Sequence, residues 1–141
     1  MAESGHVDTF TRDNLPPRDQ WPDFKFRLPE LRYPDRLNCV SELLDRWLAK
    51  GWEDRPCLIT ATETLTYGAL AERVNRIANV LVKDFGLKSG QRVLLRSANN
   101  PQFVAAYLAV MKAGGIAVAT MPLLRAKELS YPITKAEISL S

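Results

Sequence analysis

Ser97 is the side chain whose type and position come nearest to doing chemistry. It closes a short run, Arg92 to Ser97, and is followed by Asn99-Asn100-Pro101, a helix start with proline at the first helical position. Free N–H groups at such a start favour an anion. A nucleophilic serine also needs a base, and the sole histidine, His6, lies in an irregular terminus, so a Ser-His-Asp arrangement is excluded within the chain. Asn99 and Asn100 read more simply as capping residues. Neither G-x-G-x-x-G nor G-x-x-x-x-G-K-[ST] occurs. Gly114-Gly115 follows Lys112 and ends a helix, and a helix C-terminus repels phosphate, so the pair reads as a C-cap and tight turn. Glu53-Asp54 and Glu63 sit in apparent turns, where carboxylates are solvated. Cys39 and Cys57 form no C-x-x-C pair and offer too few ligands for a metal; they are expected to be buried, reduced thiols. The residues contain no self-sufficient catalytic set.

The elements that would position any site centre on Thr66 to Thr120. Thr66 is placed to cap a helix. Tyr67, Leu70, Val74, Ile77, Leu81 and Phe85 follow at steps of three and four, one face of a helix whose other face is charged or polar. Gly86 suits the left-handed residue that ends a helix, with Leu87 closing back on Val82. Phe103 to Met111 is apolar on every side, so that helix is expected to be covered all round. Ile116-Ala117-Val118-Ala119 is a continuous apolar run, as in strands buried on both faces of a parallel sheet. Strand, helix, strand within about thirty residues is a βαβ unit with a right-handed crossover. The fold class is therefore α/β: part of a parallel-rich sheet with flanking helices, preceded by a helix, a β-hairpin and a proline-rich arm.

Five of the nine prolines fall in residues 1–36, which predicts an irregular arm. Trp21, Phe24, Phe26, Leu28 and Leu31 are expected to hold it against the body, with the first dozen residues frayed. Asn38 can cap a helix carrying Val40, Leu43, Leu44, Trp47 and Leu48 on one face and ending at Gly51. Pro56 to Ile59 and Glu63 to Leu65 form the hairpin, although Ala61-Thr62 lacks the usual turn chemistry. Ala126 to Lys135 reads as a helix weakened by Pro132. Glu137 to Ser141 starts a β-prone run, so 37–141 is expected to be a truncated N-terminal portion of a larger domain. Its open sheet edge invites self-association.

At 141 residues, with 46% hydrophobic and 25% charged residues, the chain reads as globular rather than disordered. A net charge of +3 is spread among acidic neighbours, which argues for a solvated mixed surface and against nucleic-acid binding. No leader pattern or apolar run of membrane-spanning length is visible, and a cytoplasmic location is expected.

The ordered set of these signals resembles a known family. Leu65-Thr66-Tyr67-Gly68-Ala69-Leu70, Asn75-Arg76-Ile77-Ala78-Asn79-Val80-Leu81 and Gly90-Gln91-Arg92-Val93-Leu94-Leu95 resemble the start of the adenylate-forming acyl-CoA synthetases. Asn99-Asn100-Pro101 and Lys112-Ala113-Gly114-Gly115-Ile116-Ala117-Val118 continue the match. Leu28-Pro29-Glu30-Leu31-Arg32-Tyr33-Pro34 with Leu37-Asn38-Cys39, and Thr120-Met121-Pro122-Leu123-Leu124-Arg125, look like the benzoate and 2-aminobenzoate CoA ligase branch. The resemblance implies a parent ligase that joins a carboxylic acid to coenzyme A with ATP and Mg2+ through an acyl-adenylate, with an aromatic acid as substrate. The family's Ser/Thr/Gly-rich phosphate loop, its Tyr-Gly-x-Thr-Glu segment, its ribose-binding aspartate and its adenylation lysine map onto no residue here. The 141 residues alone are therefore expected to be inactive scaffold, without bound cofactor or metal. Arg125 is the one candidate ligand residue, for a phosphate of coenzyme A. A freestanding α/β binding module is the alternative reading.

Overall fold

The computed structural model describes residues 9–34 and 36–141, so His6 and most of the terminus expected to fray lie outside the described residues. The chain divides between Leu37 and Asn38. In the first unit, proline spacing keeps regular structure short: α1 (Phe10–Asp13) and 3-10 turns at Arg18–Gln20 and Pro29–Leu31. Trp21 anchors it locally. Its indole N–H donates to the Pro16 carbonyl at 2.7 Å, and the Arg18 guanidinium stands over its ring. Phe24 meets it edge-on, and Phe26 stacks on Phe24.

Asn38 opens the second unit by accepting the Val40 N–H at 3.0 Å. The helical segment that follows has a π-helical middle, Ser41–Asp45, and ends in α2 (Arg46–Leu48). A π turn carries an extra residue and rotates the phase of the helix. The expected apolar stripe is therefore broken: Val40 and Leu44 are buried, whereas Leu43 is 58% exposed. Gly51 takes φ +76°, and Trp52 N–H closes on Trp47 O.

The hairpin pairs β1 (Pro56–Ile59) with β2 (Thr64–Thr66) antiparallel. Thr60 supplies what its turn lacks in glycine. Its hydroxyl accepts the N–H groups of Thr62 and Glu63 and donates to the Glu63 carbonyl.

α3 (Tyr67–Lys83) starts where Thr66 Oγ1 accepts the Ala69 N–H at 3.2 Å. Leu70, Val74 and Leu81 are buried along the predicted stripe. Phe85 is not; it is 62% exposed, because α3 ends at Lys83 and the Phe85 N–H reaches back five residues to the Val80 carbonyl, off the helical period. Gly86 then takes φ +66°. The Leu87 N–H bonds the Leu81 carbonyl at 2.8 Å, and Leu87 enters the core beside Leu81 rather than exposed Val82.

β3 (Arg92–Arg96), α4 (Pro101–Lys112) and β4 (Ile116–Thr120) form the predicted βαβ unit, with Val93 beside Ala117 in a parallel register. Only Gln102 of α4 is exposed, as all-round apolarity implies. α4 packs on α3, and Val93, Ala105, Ala109 and Val110 join Val74 in one core. α5 (Ala126–Lys135) runs through Pro132; the carbonyl left without an intrahelical donor belongs to exposed Glu128. β5 (Ile138–Leu140) then pairs parallel to the free side of β3, giving the order β4-β3-β5.

Candidate functional site

The strand order decides where a site can form. The chain leaves β3 through α4 to reach β4, then leaves β4 through α5 and passes back across β3 to β5. With both crossovers right-handed, the two connections depart toward opposite faces of the sheet. Ligand crevices of parallel sheets form outside the carboxyl ends of the strands. A cavity of about 530 Å³ lies there, lined by Ser97, Asn99 and Phe103 on one side and Thr120, Met121 and Pro122 on the other. A smaller hollow of about 320 Å³ adjoins it, sharing Asn99 and Phe103 and reaching Ile59 and Thr60 of the hairpin.

Within this crevice Ser97 is held but not activated. Asn100 Nδ2 donates to Ser97 Oγ at 3.3 Å, and Asn100 Oδ1 accepts the Phe103 N–H at 2.8 Å. Asn100 is thus the cap, and it occupies the helix start proposed for an anion. Asn99 lines the crevice instead. Thr120 Oγ1 is a buried oxygen without a hydrogen-bond partner among the described residues.

The loop after β4 is fixed by a residue that sequence reading passed over. Arg96 ends β3, and its guanidinium donates to the carbonyls of Pro122 and Leu124 at 2.6 and 2.8 Å. An arginine closing an apolar strand ahead of a proline-containing loop is the available signal, but nothing local says which carbonyls it meets. Arg125 is exposed at the N-cap of α5. Its backbone N–H donates to Glu128 Oε2 at 2.8 Å, so Glu128 engages the backbone and not the guanidinium. Among the described residues that guanidinium pairs with no carboxylate.

The other candidates lie apart from the crevice. Glu53, Asp54 and Glu63 are exposed, and Glu63 meets Arg73 at 3.4 Å. The cysteines are free but not buried as expected: Cys39 is exposed beside the buried Val40, and Cys57 is half-buried. Burial pushes the Cys57 thiol up from its ordinary value, and its Sγ donates to the Leu65 carbonyl. No cluster of metal-ligating side chains occurs among the described residues. Gly114, at φ +80°, and Gly115 end α4 as predicted. A Cβ on Gly115 would meet Val110 Cγ1 at 3.1 Å and Leu87 Cδ2 at 3.2 Å.

The crevice, its two diverging crossovers and the Gly114-Gly115 stop lie in a stretch that matches a family model. Residues 45–141 match the AMP-binding enzyme model. The chain belongs to the AMP-binding enzyme family. It is 35% identical over 97 residues to the 3-hydroxybenzoate–CoA ligase of Aromatoleum sp. (strain CIB), covering 69% of this chain and 18% of that protein. It is 33% identical over 100 residues to the long-chain-fatty-acid–CoA ligase of Salmonella typhimurium (strain LT2), covering 71% of this chain and 18% of that protein. The crystal structure of the anthranilate CoA ligase AuaEII in complex with anthranoyl-AMP shares the fold. Its TM-score is 0.72 at 24% identity, covering 80% of this chain and 22% of that one. The chain spans about a fifth of the length of these AMP-binding relatives.

Proposed function

We propose that the protein carrying this chain is an ATP-dependent carboxylic acid–CoA ligase acting on an aromatic acid, with these 141 residues as its scaffold. Likeness to the 3-hydroxybenzoate–CoA ligase across 69% of the chain, over a stretch holding the β3–α4–β4 crevice, carries the reading. In that reaction a carboxylate, a poor electrophile, is joined to AMP with release of pyrophosphate. The thiolate of coenzyme A then displaces AMP to give the thioester. ATP, Mg2+ and coenzyme A belong to the whole ligase. Residues 37–141 form the N-terminal portion of its large AMP-binding domain, and residues 1–36 an irregular arm preceding it.

This chain's own residues supply a sheet and a crevice rather than a reacting group. Ser97 has an amide neighbour and no base, so it does not attack a carbonyl. Only Arg125 fits a cosubstrate: its exposed guanidinium, free of a carboxylate partner among the described residues, suits a phosphate of coenzyme A. Two free cysteines suit a reducing, cytoplasmic setting.

An acid-by-acid assay of thioester formation by the full-length ligase tests the reading. Benzoate and hydroxybenzoates should be consumed in preference to long-chain fatty acids, and only with both ATP and coenzyme A present. Preference for a fatty acid would overturn the aromatic assignment, and no thioester from any acid would overturn the ligase.

A further inference from the structure

We propose that Arg96 is the positioning residue that aims Arg125 at the phosphates of coenzyme A, an inference resting on the reading of Arg125 given above. The peptide unit between Leu124 and Arg125 is clamped at both ends. Its carbonyl accepts from the Arg96 guanidinium at 2.8 Å, and its N–H donates to Glu128 Oε2 at 2.8 Å. A peptide unit is planar, so holding both of its polar groups fixes the Arg125 N–Cα bond, the base from which the side chain leaves the backbone. The Pro122 carbonyl, at 2.6 Å from the same guanidinium, adds a second point on the loop.

The loop has little else to hold it. Proline at 122 donates no N–H, and a single turn bond among the described residues joins Leu124 N–H to Met121 O at 3.2 Å. Arg96 is well placed to serve because it lies on the central strand beside Thr120, the last residue of β4. One terminal nitrogen, Nη2, donates to both carbonyls, and the guanidinium carries its charge at any working pH. Arg96 touches no cosubstrate in this arrangement; it acts through Arg125.

Steady-state kinetics of the full-length ligase test this, with KM measured separately for coenzyme A, ATP and acid. Arg125→Met should raise the KM for coenzyme A by roughly tenfold or more, as loss of a charged hydrogen bond does, and leave the other two nearly unchanged. Arg96→Met should raise the same KM by several-fold to about tenfold. Arg96→Lys should recover part of that loss, and Arg96→Met added to Arg125→Met should cost nothing further, since one acts through the other. Glu128→Ala, on an exposed helix position, loosens the other end of the peptide unit and should raise the KM for coenzyme A alone. It keeps the test open if Arg96→Met fails to fold. An unchanged KM in Arg125→Met would remove the coenzyme A reading together with this inference. A raised KM in Arg125→Met with unchanged values in Arg96→Met and Glu128→Ala would remove the inference alone. Equal losses toward all three substrates in both positioning variants would also overturn it, since they would mark a merely structural role.

Discussion

Gly114 and Cys57 show how single residues report on their surroundings. Gly114 sits at φ +80°, with Ser89 Oγ 3.1 Å from where a Cβ would be. An L side chain in the left-handed region costs roughly 1–2 kcal/mol. Gly114→Ala should therefore lower unfolding free energy by about that amount in urea titration, and an unchanged midpoint would contradict the geometry. The Cys57 thiol is pushed up by burial, so it is less ionised than an ordinary thiol, with a pKa of about 8.5, at the same pH. Alkylation followed by mass spectrometry at pH 8 should label exposed Cys39 well before Cys57, and equal rates would refute the burial. The glycine stop was legible in the sequence because glycine punctuates helices locally. The burial of neither thiol was legible, since residue type alone does not say which side of its element faces the core. Arg96 was equally invisible, because its partners lie 26 and 28 positions away.

Among the elements, α4 is held at its C-terminus from a distant part of the chain. The Asn38 side-chain amide donates to the carbonyls of Met111 and Lys112 at 3.2 and 3.1 Å while its oxygen caps its own segment. Asn38→Ala removes all three bonds and leaves partly buried groups unpaired, at a cost of about 1–3 kcal/mol. Lys112 also meets Asp45 at 2.7 Å, but both ends are partly exposed, so Asp45→Asn should cost only about 0.2–1 kcal/mol. Thermal or urea unfolding should rank Asn38→Ala as clearly worse; the reverse order would mean that the ion pair, not the cap, secures α4. Helix periodicity and caps read well at this scale: Thr66 and Asn100 cap where predicted, and α5 has the bounds expected of it. Leu43 and Phe85 failed because a π turn and a helix end with an i→i−5 bond move them off stripes that a strict 3.6-residue period would keep.

The larger sheet of the second unit is three-stranded and parallel in the order β4-β3-β5, with β4 and β5 at its edges among the described residues. Unpaired strand edges template pairing with other chains, so the 141-residue chain should self-associate as its concentration rises. Light scattering that shows a monomer up to millimolar levels would contradict this. The pairing of Val93 with Ala117 was legible because continuous apolar runs flanking a helix have one common solution. The return of β5 to the far side of β3 was not, since strand order is set by long-range packing. The central claim is that these residues are a foundation on which a nucleotide site is assembled from other parts of the ligase. Isothermal titration with Mg–ATP, run in parallel on the folded 141-residue chain and on the full-length ligase, tests it most directly. The account predicts binding by the full-length ligase and none by the chain alone, and micromolar binding by the chain alone would contradict it.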